Sequence, residues 1–222
     1  MAVQAGIRYG AVQVFDNVLP AGLYRDLINA TRRVGWQFGW NTCENPNHRY
    51  WHHEIGLGGK NNVNDITANV RRHPIGAFAG YVDWIRSELL PPETSLLRLY
   101  MNAHTYGTDG FPHVDTDRPG ELTAVLYLAP EWKPEWGGET VIFDEQGDIS
   151  AAVLPRSNRL LTFPSHRLHS PRPLSKIFDS LRVVLVAKLA PPEGCGEQFF
   201  ERRRGPEVMR IAPVSDKKST DD

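Results

Sequence analysis

Residues 136–163 read WGGETVIFDEQGDISAAVLPRSNRLLTF, and they contain three short apolar or alternating stretches: Glu139 to Phe143, Ala151 to Leu154 and Arg159 to Phe163. Turn-forming Gly, Asp, Pro and Asn residues set them apart. Runs this short are too brief for helices, and a spacing of roughly 8 to 12 residues is that of antiparallel sandwiches and barrels. Gly137-Gly138 supplies a tight turn that needs positive φ or close backbone approach, and it is assigned no chemical role. Outward from this segment the same rhythm recurs at Leu96 to Met101, Leu122 to Leu128 and Leu181 to Leu189. Six or more such strands predict a mainly β, jelly-roll-like antiparallel fold.

Upstream the pattern differs. Val12 to Phe15 is strand-like, and Pro20 to Arg33 places Leu23, Leu27, Ile28 and Thr31 on one helical face. Pro74 to Leu90 repeats Ile75, Phe78, Ala79, Val82, Ile85 and Leu89 at intervals of three and four, and Pro91-Pro92 stops it. Both helices are expected to buttress the sheet. Residues 1–200 are therefore taken as a single domain. The tail from Glu201 to Asp222, with its Arg202-Arg203-Arg204 run, lacks periodicity and is expected to be flexible surface.

The chain has 222 residues, 41% hydrophobic and 23% charged, with a formal net charge of -1. This is an ordinary globular composition, and it excludes a strongly basic nucleic-acid binder, a coiled coil and wholesale disorder. Cys43 and Cys195 form no CxxC pair, which argues against a disulfide scaffold or a thiolate zinc site and suits a reduced, cytoplasmic setting. With no apolar run of about 18 residues and no basic-then-apolar start, neither a membrane span nor an export signal is expected.

His113-Val114-Asp115 places an imidazole and a carboxylate two residues apart, on one face if the segment is extended. A third nitrogen must come from His104, His166 or His169. His169 is preferred, because it follows the apolar Arg159 to Phe163 strand and precedes the rigid Pro171-Arg172-Pro173; His166 is its competitor. Two histidines and one aspartate would grip one side of an ion and leave the other open, as in non-haem ferrous oxygenases rather than closed structural zinc sites. Gly35 to Asn64 is long and without clear periodicity, and it concentrates Trp36, Phe38, Trp40, His48, Tyr50, Trp51, His52 and His53. A loop of this kind is expected to cover the site and contact substrate. A cluster packed on the first helix is the plainer alternative, and a second metal site at His48, His52 and His53 the weakest.

The stretches FPHVDTD (111–117), LTAVLYL (122–128) and 136–163, then His169, then SLRVVLVAKL (180–189), occur together and in order. In this the chain resembles the iron(II)- and 2-oxoglutarate-dependent dioxygenases, in particular their prolyl 4-hydroxylase-like branch. The resemblance implies a double-stranded β-helix with His113, Asp115 and His169 as iron ligands. It also implies that Arg182 pairs with the distal carboxylate of 2-oxoglutarate and that Tyr127 gives its hydroxyl to the same group. Physically, a guanidinium on an apolar strand is costly unless a carboxylate arrives. Arg182 is preferred to Arg172 and Lys176 as the basic position embedded in a strand that reads as buried. Tyr100 matches a family tyrosine on the strand before HxD. The loop Asn102 to Pro112 is longer than in those enzymes, however, and leaves Tyr106 as the alternative.

The activity so implied consumes 2-oxoglutarate and dioxygen at Fe(II), with ascorbate as a stimulant, and releases succinate and carbon dioxide as an unactivated carbon is hydroxylated. The carboxylate at Asp115 favours hydroxylation over halogenation. Three readings stand. The first is a hydroxylase of a small molecule, amino acid or biosynthetic intermediate; the second acts on prolyl or other residues of a polypeptide; the third is a non-catalytic jelly-roll binding protein. Nucleic acid and membrane are not expected as partners.

Overall fold

The computed structural model describes residues 12–41, 48–56, 58, 59, 61–108 and 110–192. Ten strands alternate with three helices among these residues: β1 (Gln13–Phe15), α1 (Ala21–Thr31), β2 (Gln37–Trp40), β3 (Tyr50–Glu54), α2 (Thr67–Arg71), α3 (Ala77–Glu88), β4 (Ser95–His104), β5 (Leu122–Tyr127), β6 (Thr140–Phe143), β7 (Ile149–Val153), β8 (Leu160–Pro164), β9 (His169–Pro171) and β10 (Arg182–Ala190). Seven strands pair in the order β1-β8-β5-β10-β4-β3-β2, and three more in the order β7-β6-β9. Every pairing is antiparallel. The expected mainly β jelly roll with flanking helices is thus the observed architecture. The tail from Glu201 to Asp222, expected to be flexible, and both cysteines lie outside the described residues.

Period-two alternation along β10 organises the interior. Val183, Leu185, Ala187 and Leu189 enter the core shared with the helices, where Leu27, Phe78, Val82 and Ile85 meet the large sheet. Val184 and Val186 face the other way, into a second core with Tyr127, Ile142, Val153 and Phe163 between the two sheets. Arg182 and Lys188 share that second face and are also buried. The helices form for the reason their periodicity gives: α3 buries Phe78, Tyr81, Val82, Trp84 and Ile85 as one stripe.

Two expectations change. The helix predicted from Pro74 begins only at Ala77, after a separate short α2. The segment 35–64, expected to be a structureless loop, contains β2 and β3, which add to the edge of β4 through Trp51↔Ala103, His52↔Asn102, His53↔Met101 and Glu54↔Tyr100. Its tryptophans alternate with polar residues too irregularly to reveal a strand pair. Among the described residues no helix is long and apolar enough to cross a membrane.

Asn158 fixes the corner between β7 and β8 in the left-handed region, at φ 51, where asparagine is better tolerated than most side chains. Its amide accepts from Leu19 N at 3.0 Å and donates to Leu19 O at 2.9 Å. Asn158→Ala removes both bonds and strands the buried backbone of Leu19. We expect a loss of about 2–4 kcal/mol in urea unfolding, and a loss under about 1 kcal/mol would contradict this role.

Candidate active site

Between the two sheets lies a cavity of about 240 Å³ whose walls include His113, Asp115, His169, Arg182, Tyr100 and Lys188. His113 and Asp115 do not sit on a regular strand, as the sequence suggested. An isolated bridge to β9 does the work instead: His113 N donates to His169 O and His169 N to His113 O, each at 3.0 Å. Asp115 N donates to Ser165 O at 2.9 Å. Two segments distant in the chain are thereby held side by side, and the ligand atoms of His113, Asp115 and His169 lie within 4.8 Å of one another.

The tautomers are set by the backbone. His113 Nδ1 lies 2.7 Å from Phe111 O, and His169 Nδ1 lies 2.9 Å from Arg167 O. A carbonyl can only accept, so Nδ1 carries the proton in both rings and each Nε2 lone pair is left for the centre. Those Nε2 atoms lie 3.6 Å and 3.5 Å from Asp115 Oδ1 and Oδ2. Burial pushes the His169 imidazole down to about 4, against the opposing pull of Asp115. Burial alone would raise the Asp115 carboxyl, but Lys188, His169 and His113 hold it well below the usual carboxylate range. Two imidazole nitrogens and an anionic oxygen, converging beside an open cavity, fit a divalent iron with positions left open.

At one end of the cavity, Arg182 is 2% exposed. Its Nη2 donates to Thr140 Oγ1 at 2.9 Å, and its Nε has no hydrogen-bond partner. Among the described residues no carboxylate lies within ion-pair distance of it. Opposite it in register stands His104, buried, with neither ring nitrogen partnered. Burial and then the Arg182 charge keep that imidazole well below its usual range, hence neutral. A buried guanidinium with donors to spare fits the distal carboxylate of 2-oxoglutarate. Gly138 makes room for it: at φ +74, a Cβ there would meet Leu174 Cδ2 at 2.6 Å and Arg182 Cδ at 3.1 Å.

The other wall comes from β2, β3 and β4. His52 stacks on Trp40 at 4.0 Å and bonds Asn102 at 2.7 Å. Arg98 lies over the Tyr100 ring at 4.5 Å and donates to Glu54 at 3.3 Å. Burial first, then Asp115, raises the Tyr100 phenol well above its usual range, so it stays neutral.

The structure brings His113, Asp115, His169, Arg182 and Tyr100 to one cavity and does not bring His166 or Tyr106, both of which are exposed. Tyr127 is fully buried behind Arg182, outside the cavity lining, and its hydroxyl donates to Thr140 Oγ1 at 2.8 Å. His48, His52 and His53 form no ligand cluster: His53 Nδ1 bonds Gly35 O and His48 lies edge-on to Phe111. From the segment 35–64, Trp40, Asn41, Tyr50 and Asn61 line the cavity. The sequence reading missed Lys188. The same apolar strand that singled out Arg182 contains it six positions on, and period-two counting places both on one face.

Residues 101–186 match the family model of the 2OG-Fe(II) oxygenase superfamily. Among solved structures, a prolyl-4-hydroxylase from Pseudomonas putida is similar at 19% identity, covering 83% of this chain and 94% of that one, with a TM-score of 0.58. HygX from Streptomyces hygroscopicus, solved with nickel, 2-oxoglutarate and hygromycin B bound, gives 14% identity over 83% and 84% of the two chains, with a TM-score of 0.56. A Trichoplax adhaerens prolyl hydroxylase, in complex with a hypoxia inducible factor peptide fragment, gives 14% identity over 81% and 83%, with a TM-score of 0.53. These likenesses establish the fold. No curated protein matches the sequence.

Because His169 takes a proton only near pH 4 when folded but near 6.5 when unfolded, the unfolded chain binds more protons between those values, and stability falls as pH falls through that window. Buried, neutral His104 acts in the same direction. The metal-free protein should lose about 2 kcal/mol from His169 alone between pH 7 and pH 5 in urea titrations. Equal or greater stability at pH 5 would contradict the buried, neutral state.

Proposed function

We propose that this chain is a 2-oxoglutarate-dependent non-haem iron oxygenase, a reading supported by its family match and fold, and that it hydroxylates an unactivated carbon of a small polar molecule, an amino acid or a biosynthetic intermediate. One observation carries the reading: a single cavity joins a two-histidine, one-carboxylate cluster to a buried, carboxylate-free arginine. His113, Asp115 and His169 would hold Fe(II), while Arg182 and Thr140 would hold the distal carboxylate of 2-oxoglutarate. With dioxygen, that bound pair supplies the oxidising power for hydroxylation and releases succinate and carbon dioxide.

The chain's own part is placement. The Nδ1 bonds of the two histidines keep their Nε2 atoms aimed at one point. Arg182, buried and fixed by Thr140, orients a dicarboxylate end to end, since its planar fork donates to both carboxylate oxygens in a defined plane. The wall of Trp40, Arg98, Tyr100 and Asn102 offers a ring face and several hydrogen-bonding groups, which suits a compact polar substrate. At about 240 Å³ the cavity sits below the ~300 Å³ at which ligand pockets commonly begin, so co-substrate and a small group fill it and exclude water.

A second reading, hydroxylation of a residue within a polypeptide, draws support from the exposed apolar Phe111 and Val114 flanking the ligand His113. It draws further support from the prolyl hydroxylases among the similar structures.

Candidate compounds screened for stimulated conversion of 2-oxoglutarate to succinate test the proposal. Stimulation by a small molecule is expected. A hydroxylated peptide in mass spectra would replace this reading with the second, and no succinate under any condition would leave the non-catalytic one. Asp115→Ala is expected to lose both iron and turnover, and wild-type turnover in that variant would refute the ligand set. Arg182→Ala should weaken 2-oxoglutarate binding by about 2 kcal/mol, or about 30-fold. Unchanged affinity would place the anchor elsewhere.

A further inference from the structure

Beside the ligand cluster, on the side away from Arg182, sits an ammonium group that neither the ligand set nor the co-substrate anchor uses. Lys188 is buried, and its Nζ is in ion-pair contact with Asp115 Oδ2. The same Nζ donates to Thr123 Oγ1 at 3.1 Å, and that hydroxyl donates to Asp115 Oδ2 at 2.6 Å. Ser165 Oγ lies 2.9 Å from Thr123 Oγ1 and holds that hydroxyl from the other side. The neighbouring charges are already matched. Arg98, cross-strand from Lys188, pairs with Glu54 at 3.3 Å, and Glu121 is engaged by Arg118. Asp115 is therefore the anion that Lys188 answers to, and Asp115 is a ligand.

We propose that Lys188 is a fixed positive charge that tunes the metal centre, biasing bound iron toward the ferrous state at the expense of overall cation affinity. The inference rests on the ligand assignment above. A cation hydrogen-bonded to a ligand carboxylate draws charge from it and repels the ion at close range, where burial leaves little solvent to screen the field. Losing one electron takes ferrous iron to ferric and adds one positive charge to the centre, so this repulsion is larger in the ferric state. Hydrogen bonds to the outer atoms of ligands tune metals in this way. A lysine that served only to hold the carboxylate in place would alter stability and leave that balance untouched.

The test is an anaerobic redox titration of iron-loaded wild type, Lys188→Met and Lys188→Arg, the single electron passing between the iron and a mediator. Lys188→Met should shift the ferrous–ferric balance tenfold or more toward ferric, at least 59 mV lower in midpoint for a one-electron couple, while Lys188→Arg stays with the wild type. Any smaller shift in Lys188→Met, or an equal shift in Lys188→Arg, overturns the proposal. In parallel, Mn(II) titration should find Lys188→Met at least threefold tighter than wild type, and equal or weaker binding also overturns it. If circular dichroism shows Lys188→Met unfolded, Lys188→Gln is measured by the same criteria. Wild-type protein that takes up no Mn(II) overturns the ligand assignment and this proposal together. Wild-type uptake with a variant-insensitive midpoint overturns this proposal alone.

Discussion

Two backbone hydrogen bonds between His113 and His169 are the constraint on which the rest of the site depends. With the Asp115 N to Ser165 O bond beside them, they close the small sheet onto the segment leading into β5 and so bring together two imidazoles from distant parts of the chain. Each histidine also spends its Nδ1 proton on a carbonyl two residues back in its own segment. Backbone geometry thus decides both where the rings sit and which nitrogen they present. The chemistry of the site is an outcome of main-chain pairing as much as of side-chain identity.

β10 provides the second axis of order. One face of this strand is apolar throughout and seals the core under α1 and α3, while the other carries Arg182 at one end and Lys188 at the other, with Val184 and Val186 between them. Cationic ends and apolar middle therefore occupy one wall of the cavity at fixed spacing, and the ligand cluster enters from the segment bridged to β9. Burial raises the cost of every unmatched charge there. Lys188 is matched by Asp115, whereas Arg182 has no carboxylate among the described residues and retains an unused donor. That asymmetry is why Arg182, rather than Lys188, is proposed to take the anionic end of the co-substrate.

Much of this was legible in the sequence, and the exceptions have physical causes. The strands from Leu96 to Leu189 announced themselves through turn residues and short apolar runs, and Arg182 through its improbable setting. β2 and β3 were hidden because β2 is the sheet edge, where Phe38 is exposed and Gly39 interrupts the run with φ +117, and because β3 (YWHHE) is built of ring and charged residues with no apolar alternation. The HxD segment was expected to be extended strand, yet it is an isolated bridge between bends. The two-residue spacing still serves, because the geometry comes from the partner segment. His104 gave no local signal, since only the register opposite Arg182 reveals that a buried, unpartnered imidazole faces the anion end. Lys188 was overlooked although the alternation that favoured Arg182 should have found it.

The most direct measurement is anomalous diffraction from crystals grown anaerobically with Mn(II) and 2-oxoglutarate. One strong peak is expected, bounded by Nε2 of His113, Nε2 of His169 and the Asp115 carboxylate, with the dicarboxylate running from that peak to Arg182. Metal elsewhere in the molecule, or an empty cluster beside fully occupied crystals, would contradict it.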